Sequence, residues 1–437
     1  MFAHRNDIDT NTIDMQILLR SIKIIDSNSA FNGMIKDVLI VDGVIEKIGE
    51  NIDSTEVNEV IEGDDLHVSI GWVDLYAKIG DPGEEHKEDL ETGLNAAAQG
   101  GFSKVVISPE ASPCIDSKSG VDYILKKSSS HVVDALPMAG MTKGLAGKDL
   151  AEIYDMCKTG AVAISNGKHP ISNSKVQNLA LLYSKNIDVP LFSFCEDKNL
   201  SNGGQMHEGD VNTGIGLKGI PAIAEEIMVA RDIYLSEYTN VPVHFSHITT
   251  KGSVELVRQA KAKGLKITAS VPVHHLLFSD ESTRDFDSNY KVKPPFRSSE
   301  HVQALRDGLA NGTIDTIISD HEPQEIEAKF SEFGIAEFGI IALETAFSAL
   351  LMSTFNSMSV EQTIEKLTVN PRNILRLTLP KIVEGAKAEL TVFAPTVGWE
   401  YSKKDVKSKS HNSPLLNQEL IGLPIAVINN GQLYVNS

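Results

Sequence analysis

Residues 74–93, DLYAKIGDPGEEHKEDLETG, contain the structural unit that repeats through most of this chain. An apolar segment ends near Lys78, and the Pro82-Gly83 pair after it predicts a tight turn. The charged residues that follow are typical of the start of a helix. The stretch therefore predicts one β-strand followed by one α-helix.

The same pattern continues through the middle of the sequence. Between residue 71 and about residue 320, short apolar runs alternate with segments of helical periodicity. The eight runs are GWVDLYAK, KVVISP, VVDALPMA, AVAISN, PLFSF, VHFSH, ITASVPV and IDTIISD. Strands that alternate with helices form parallel βα units, and eight units favour a closed barrel. We therefore predict an α/β fold with a TIM-like (β/α)₈ barrel over residues 71–382.

The two ends of the chain predict a second, smaller unit. Residues 15–70 and 383–437 contain short alternating segments such as QILLRSIKII, MIKDVLIVDG and LIGLPIAVINNGQLYVN. This alternation is typical of strands, and Asn430-Gly431 is a favourable hairpin turn. We predict one small β-sandwich domain built from both termini, with residues 1–14 as an N-terminal extension.

Charge and composition limit the classes of partner and compartment. The formal net charge of −19 at pH 7 argues against nucleic acid and anionic membranes. No apolar run approaches the roughly 20 residues of a membrane span, and residues 1–14 lack the apolar region of a secretory signal. The three cysteines are widely spaced and odd in number, which indicates reduced thiols and a cytoplasmic protein.

The active site of a (β/α)₈ barrel lies at the C-terminal ends of its strands. The residues at those ends are Tyr76 to Lys78, Pro109, Asn166, Phe194, His247, Val273 and Asp320. His247 and Asp320 are suitable metal ligands, because a metal activates water in hydrolytic barrels and a strand-end aspartate takes the proton. From these two residues alone, a structural histidine and a helix-capping aspartate are an equally good interpretation.

Several ordered blocks of the sequence carry a family resemblance. They include DPGEEHKEDLETGLNAAAQGGF, VPVHFSHITTKGSVELV, KVKPPFRSSEHVQALRDGLANGTIDTIISDHEP and EFGIIALETA. From about Met15 to the C-terminus the chain resembles the dihydroorotase branch of the amidohydrolase superfamily. The likeness is to the long bacterial type that pairs with aspartate transcarbamoylase.

The resemblance implies a zinc site that this sequence does not reproduce. The His-x-His pair of the family's first strand corresponds to Tyr76 and Lys78, and the histidine after the fifth strand corresponds to Phe194. The acidic or carboxylated-lysine ligand after the fourth strand falls at Ser165 or Asn166. Two metal-site remnants are left, His247 and Asp320, so we expect neither an intact metal site nor a bound cofactor.

The substrate-binding positions implied by the resemblance also differ. The family's arginine after strand 1 and its asparagine after strand 2 correspond to Gly80 and Glu110. Its asparagine before the Pro-Pro pair corresponds to Lys293, and a later histidine corresponds to Gln324. We interpret the remaining polar residues of the retained blocks as scaffold: His244, His274, His275, Glu208, Glu344 and Arg297.

A buried carboxylate at the end of strand 8 needs a partner or a proton. Strand 1 neighbours strand 8 in a closed barrel, so we predict that Lys78 replaces the metal and pairs with Asp320. Tyr76 and Phe194 would fill the space of two imidazoles, with the Tyr76 hydroxyl bonded to Asp320 or His247. Alternatively, Lys78 reaches solvent and Asp320 accepts backbone amides.

Two hypotheses about function follow from these residues. In the first, the chain is a catalytically inactive dihydroorotase-like protein of pyrimidine biosynthesis that acts as a structural or regulatory partner of an aspartate transcarbamoylase catalytic chain. In the second, it is an active dihydroorotase or another cyclic-amide hydrolase with a rebuilt site. The family resemblance also makes a homodimer a reasonable expectation.

Overall fold

A computed structural model describes residues 15–55 and 57–436 of the chain. These residues form a parallel sheet of eight strands and a mixed sheet of eight strands. The predicted extension, residues 1–14, lies outside the described residues. Within the described ranges, no helix is long and apolar enough to cross a membrane.

The mixed sheet is built from both ends of the chain, as predicted. Its strands are β1 (Gln16–Ile25), β2 (Ile35–Val41), β3 (Val44–Gly49), β4 (Glu59–Ile61), β5 (His67–Ile70), β16 (Leu390–Tyr401), β17 (Gln418–Asn429) and β18 (Gln432–Val435). They pair in the order β18-β17-β16-β5-β1-β2-β3, with β4 against β1. Apolar side chains from both segments, such as Ile24 and Val392, share one buried core.

The parallel sheet is the predicted barrel. Its strands are β6 (Trp72–Ala77), β7 (Phe102–Ile107), β8 (Asp134–Gly140), β9 (Ala163–Ser165), β10 (Leu191–Ser193), β13 (Val243–Phe245), β14 (Ile267–Pro272) and β15 (Thr316–Ile318). They pair in chain order, and each lies within or overlaps one of the eight predicted apolar runs. The short strands β11 (Met206–His207) and β12 (Gly219–Ile220) form a separate pair. The predicted fold class is confirmed, whereas the domain boundaries stay a prediction.

Helices follow most barrel strands and cover the outside of the barrel. They are α1 (Leu90–Gln99), α2 (Lys118–Lys127), α3 (Ile153–Thr159), α4 (Ser174–Ser184), α5 (Lys198–Ser201), α6 (Asp210–Ile215), α7 (Ile223–Thr239), α8 (Lys251–Ala262), α9 (Ser299–Ala310), α10 (Ile326–Lys329), α11 (Ala346–Thr354), α12 (Val360–Leu367) and α13 (Val369–Leu375). In the first unit, Asp89 caps α1 by accepting the Thr92 amide at 2.9 Å. The helix then buries Leu90 and Leu94.

The barrel closes where the last strand meets the first. Ala77 pairs with His321 in a parallel bridge, and the Lys78 amide donates to the His321 carbonyl at 2.8 Å. Deeper in the barrel, the Asp74 carboxyl accepts the Ser319 amide at 2.7 Å and the Ser319 hydroxyl at 2.6 Å. This closure brings the residues after β6 and β15 together at one rim.

Asp74 makes the closure sensitive to pH. Burial raises the pKa of this carboxyl to about 7, even though Ser319 and His321 act in the opposite direction. The unfolded chain, with an ordinary pKa of about 3.9, therefore binds fewer protons than the folded chain between roughly pH 4 and 7. Folding stability from this group is present at low pH and falls as the pH rises through that window.

Replacement of Asp74 with asparagine tests this dependence. An amide keeps the shape and can bond both groups of Ser319, but it does not ionise. The quantity to compare is the unfolding free energy of Asp74→Asn minus that of the parent protein. We expect this difference to be more positive at pH 8 than at pH 5 by on the order of 2 kcal/mol. Urea unfolding at the two pH values measures this difference, and a difference independent of pH would contradict the assignment.

Candidate functional site at the C-terminal end of the barrel

The candidate site is organised around Asp320, which directly follows β15. Its backbone is left-handed, with φ of 51°, a conformation that non-glycine residues adopt infrequently and that often occurs at functional sites. The side chain is buried, with 2% of its surface exposed. A carboxylate at this depth requires charged or hydrogen-bonding partners.

A lysine ammonium provides the strongest of these contacts. Lys168 Nζ lies 2.6 Å from Asp320 Oδ1 and 2.9 Å from Glu322 Oε2. The lysine comes from the loop after β9, on the far side of the barrel mouth from the β6–β15 closure, and 8% of its side chain is exposed. Lys168 is therefore a tethered cation between two buried carboxylates.

Lys78 occupies a different position from the one predicted. Its Nζ lies 3.0 Å from Glu322 Oε1, and the ammonium that contacts Asp320 belongs to Lys168. The predicted Lys78–Asp320 pair is wrong, because the end of β6 places Lys78 beside Glu322, two residues past Asp320. The four side chains form one ion-pair cluster, which we call the central cluster: Lys78, Lys168, Asp320 and Glu322.

The central cluster keeps all four groups charged. Burial alone would raise the pKa of Asp320, but Lys168 and His247 hold that pKa well below its usual range. Burial would likewise raise the pKa of Glu322, and the two lysines lower it to about 2. Glu322 in turn raises the pKa of Lys78, and the carboxylates raise that of Lys168 despite burial. Two positive and two negative charges thus balance.

Two histidines complete the contacts of Asp320. His247 Nε2 lies 3.0 Å from Asp320 Oδ1, and its Nδ1 lies 2.8 Å from the Ser246 hydroxyl. Burial lowers the pKa of His247, so a neutral ring donates its Nε2 hydrogen to the carboxylate. His274 Nε2 lies 3.6 Å from Asp320 Oδ2, so this residue adjoins the site, although we interpreted it as scaffold. His244 instead bonds the hydroxyls of Thr268 and Ser270.

Aromatic side chains surround His247. The rings of Tyr76 and Phe194 lie edge-on to it, with centroid distances of 4.6 and 5.3 Å. The Tyr76 hydroxyl donates to Glu110 and not to Asp320 or His247, so the predicted partner is wrong. Glu110 captures this hydroxyl because Ser108 also donates to the same carboxylate, at 2.8 Å, and holds it beside β6.

The predicted strand-4 positions support the loop that carries Lys168. Asn166 accepts the Thr142 hydroxyl at 2.7 Å and donates to the carbonyls of Leu145 and His169. Ser165 accepts the Gly167 amide at 3.1 Å. These bonds fix the loop backbone, so that the lysine two residues after Asn166 can reach Asp320.

The four positions expected to have lost substrate contacts instead contact other residues of this chain. A Cβ atom at Gly80 would lie 2.5 Å from the Glu84 carbonyl oxygen, so a larger side chain does not fit without a backbone shift. Lys293 pairs with Glu196 at 2.9 Å, and Gln324 donates to the Phe338 carbonyl at 2.8 Å. Glu110 bonds Tyr76 and Ser108, as described above.

The residues of the site do not fit a zinc ion. Zinc takes three or four nitrogen, sulfur or carboxylate ligands, and the part of the chain that the structure describes contains no group of three or more His, Cys, Asp or Glu side chains placed to hold a metal. His247 and Asp320 are together, but an ammonium contacts the same carboxylate oxygen that faces His247. A divalent cation and Lys168 cannot both occupy this point.

Sequence reasoning missed Lys168 and Glu322. Both lie two residues beyond positions that it singled out, Asn166 and Asp320, in ISNGK and SDHE. A search for charged residues close to each strand end, in addition to the ligand positions themselves, would have identified both as candidates.

The site thus lies at the C-terminal ends of the strands of an eight-stranded parallel barrel, and comparison with known proteins identifies the class to which this fold belongs. Residues 67–253 match the dihydro-orotase-like family and residues 188–424 match the amidohydrolase family. The fold resembles L-hydantoinase (dihydropyrimidinase) from Arthrobacter aurescens, with a TM-score of 0.83, 19% identity and 96% of each chain covered.

Full-length relatives define the family more narrowly. A dihydroorotase from Citrifermentans bemidjiense is 38% identical over 421 residues, which are 96% of this chain and 99% of that protein. One from Pelotomaculum thermopropionicum is 40% identical over 400 residues, 91% of this chain and 93% of that protein. The chain belongs to the dihydroorotase family of the amidohydrolase superfamily.

Removal of the Lys168 ammonium tests the central cluster. Lys168→Met leaves Asp320 unpaired with a cation and should lower the unfolding free energy by roughly 3–5 kcal/mol at pH 7, as is typical when a buried pair loses one partner. Lys78→Met is the matched control, since Glu322 then keeps Lys168, and we expect a smaller loss.

The loss caused by Lys168→Met should also shrink toward pH 4, because the unpaired carboxylates then have higher pKa values and become protonated. Denaturant unfolding at both pH values measures these differences. A loss for Lys168→Met that is no larger than that for Lys78→Met would contradict the central position of Lys168.

Proposed function

We propose that this protein is a dihydroorotase-family member of pyrimidine biosynthesis that neither opens nor closes the dihydroorotate ring. In this proposal it acts as a structural or regulatory partner of an aspartate transcarbamoylase catalytic chain. The observation that carries the first part is the contact of 2.6 Å between Lys168 and Asp320.

Metal-assisted hydrolysis requires an activated water and a carboxylate that accepts its proton, and the Lys168–Asp320 contact affects both requirements. A metal lowers the pKa of its bound water to about 7 by acting as a Lewis acid, and an ammonium has no empty orbital for a water. The strand-end aspartate must also accept a proton. Asp320 is held ionised by Lys168 and His247 with a pKa well below its usual range, which makes it a poor base at neutral pH.

The partner part of the proposal rests on the family resemblance. The resemblance covers the chain from about Met15 to the C-terminus and is to the type that pairs with aspartate transcarbamoylase. The barrel and the mixed sheet are complete, although the site residues differ from those that the family resemblance implies. This combination is expected when the protein surface binds a partner and the pocket no longer catalyses a reaction. We therefore propose the transcarbamoylase as the partner.

A second candidate is an active dihydroorotase or another cyclic-amide hydrolase with a rebuilt site. Specific observations favour it: relatives that are 38% and 40% identical over nearly their full length are named dihydroorotases. The sequence comparison supports this candidate and the charge arrangement supports the first. Activity measurements separate the two.

The assay follows interconversion of carbamoyl aspartate and dihydroorotate by the purified full-length chain. We expect no turnover above background, with or without added zinc, whereas typical enzymes reach roughly 1 s⁻¹ or more. Asp320→Asn is the matched variant. If this substitution abolishes a measured activity, the second candidate is established. If the activity survives the substitution, it comes from elsewhere in the preparation.

The partnership is tested with the aspartate transcarbamoylase catalytic chain of the same host. We expect the two purified proteins to co-elute in size-exclusion chromatography at micromolar concentration, and the mixture to differ from the transcarbamoylase alone in thermal stability or kinetics. Each protein run alone is the control. Separate elution with unchanged transcarbamoylase kinetics would contradict the proposed partner.

A further inference from the structure

Two segments that follow neighbouring barrel strands meet at the rim of the barrel. Residues 285–289 come after β14 and residues 325–338 come after β15, so both lie at the C-terminal end of the barrel, as the candidate site does. The Ser288 hydroxyl of the first segment donates to the Lys329 carbonyl of the second at 2.5 Å. The two segments therefore form one continuous surface.

This surface exposes large apolar side chains. Phe330 is 91% exposed, Ile335 75% and Ile326 70%. Phe286 is 48% exposed, and its ring lies edge-on to the buried ring of Phe333 with a centroid distance of 6.4 Å. We call the four exposed side chains the rim face: Phe286, Ile326, Phe330 and Ile335. Their accessible area is on the order of 500 Å², the size of an apolar patch that often marks an interaction site.

Two buried lysines hold the backbone beneath the rim face. Lys291 Nζ donates to the Phe333 carbonyl at 2.7 Å. Lys329 Nζ donates to the carbonyls of Glu337 and Gly339, each at 3.0 Å. Because these ammonium groups fix the chain from its inner side, the apolar side chains stay directed outward. A surface that is already ordered loses less conformational entropy when it binds a partner.

A cleft opens beside Phe330. Its volume is about 380 Å³, and it is lined by the apolar Ile326 and Phe330 together with the polar Asp287, Asn289 and His411. This volume lies in the range of binding clefts. An apolar wall next to a carboxylate suits a side chain that has an aliphatic stem and a cationic end.

Carboxylates surround the rim face. The exposed acidic residues of the two segments are Asp285, Asp287, Glu327, Glu332 and Glu337. The one basic residue of the two segments, Lys329, is buried beneath them. A complementary surface must therefore be both apolar and positively charged.

We propose that the rim face binds a basic amphipathic helix of another protein, with an apolar stripe flanked by lysine or arginine side chains. Apolar grooves bind such helices through side chains spaced three and four residues apart. The proposal goes beyond the proposed function, because it assigns a surface and a partner chemistry that do not depend on the transcarbamoylase.

The other occupants fit this face less well. A second copy of the chain would place its own carboxylates against these five, since a two-fold interface brings the same patch together. An area on the order of 500 Å² is also smaller than the roughly 800 Å² per partner of a standard interface between folded proteins. An anionic membrane would be repelled by the same carboxylates.

Fluorescence anisotropy tests the proposal with a labelled synthetic helical peptide of leucine and lysine, whose leucines lie on one face. We expect the full-length chain to bind this peptide saturably at micromolar concentration, and added salt to weaken the binding. The control peptide has glutamate in place of every lysine and should not bind.

Variants locate the binding on the chain. Phe330→Ser/Ile335→Ser should weaken binding by about tenfold or more, as is typical when central apolar contacts are lost. Phe355→Ser is the matched control, because Phe355 is 76% exposed but lies outside the rim face, and it should bind as the parent does. Equal thermal stability of the three proteins shows that the fold is intact.

A second pair of variants separates local from overall charge. Glu332→Lys should weaken binding, whereas Glu46→Lys, which changes an exposed carboxylate on β3 by the same amount, should not. Hydrogen exchange should show that the peptide protects residues 285–289 and 325–338.

Several results would overturn the proposal: no saturable binding, equal binding of the glutamate peptide, equal effects of variants and controls, or protection confined to other segments. A dimer of the chain that Phe330→Ser/Ile335→Ser dissociates would assign the face to a second copy instead. Sedimentation with phosphatidylcholine vesicles that the same double variant abolishes would assign it to a lipid surface.

Discussion

The buried contact between the Lys168 ammonium and the Asp320 carboxylate is the interaction on which the interior of this barrel depends. A carboxylate at the end of a parallel strand, enclosed by protein, must meet a cation or take up a proton. Here the cation is tethered to the loop after β9 and reaches two carboxylates at 2.6 and 2.9 Å. Since removal of either kind of charge leaves the other unpaired in a low-dielectric interior, the members of the central cluster constrain one another.

The surroundings are built to match this contact. Tyr76 and Phe194 pack against the ring of His247, and Glu110 takes the Tyr76 hydroxyl. The barrel mouth is thus filled by packed rings and paired charges. A buried ion-pair network of this kind adds little net stability, but loss of one partner is costly, which is consistent with a site that holds its shape without a metal.

Much of this architecture was predictable because it depends on periodicity. The eight apolar runs predict the barrel strands, and the alternating segments at both termini predict the second sheet, since side-chain spacing reports burial directly. His247 and Asp320 were expected at one rim for a similar reason: the C-terminal ends of all the parallel strands lie at the same end of the barrel. Their contact of 3.0 Å follows from that topology.

The partners of Asp320 were not predictable in the same way. A lysine side chain is long and flexible, so its position along the chain limits its reach but does not determine which carboxylate it meets. Lys78 and Lys168 both lie close to strand ends, and the backbone bonds of Asn166 bring Lys168 to Asp320 while the closure at His321 leaves Lys78 beside Glu322. Such loop contacts have no periodic signature in the sequence.

Anomalous X-ray diffraction from crystals grown with excess zinc tests most directly whether Lys168 has taken the place of a metal. The ion-pair account predicts no anomalous peak between His247 and Asp320, with the Lys168 ammonium in direct contact with the Asp320 carboxylate. A zinc peak at that position, with Lys168 displaced from Asp320, would contradict it.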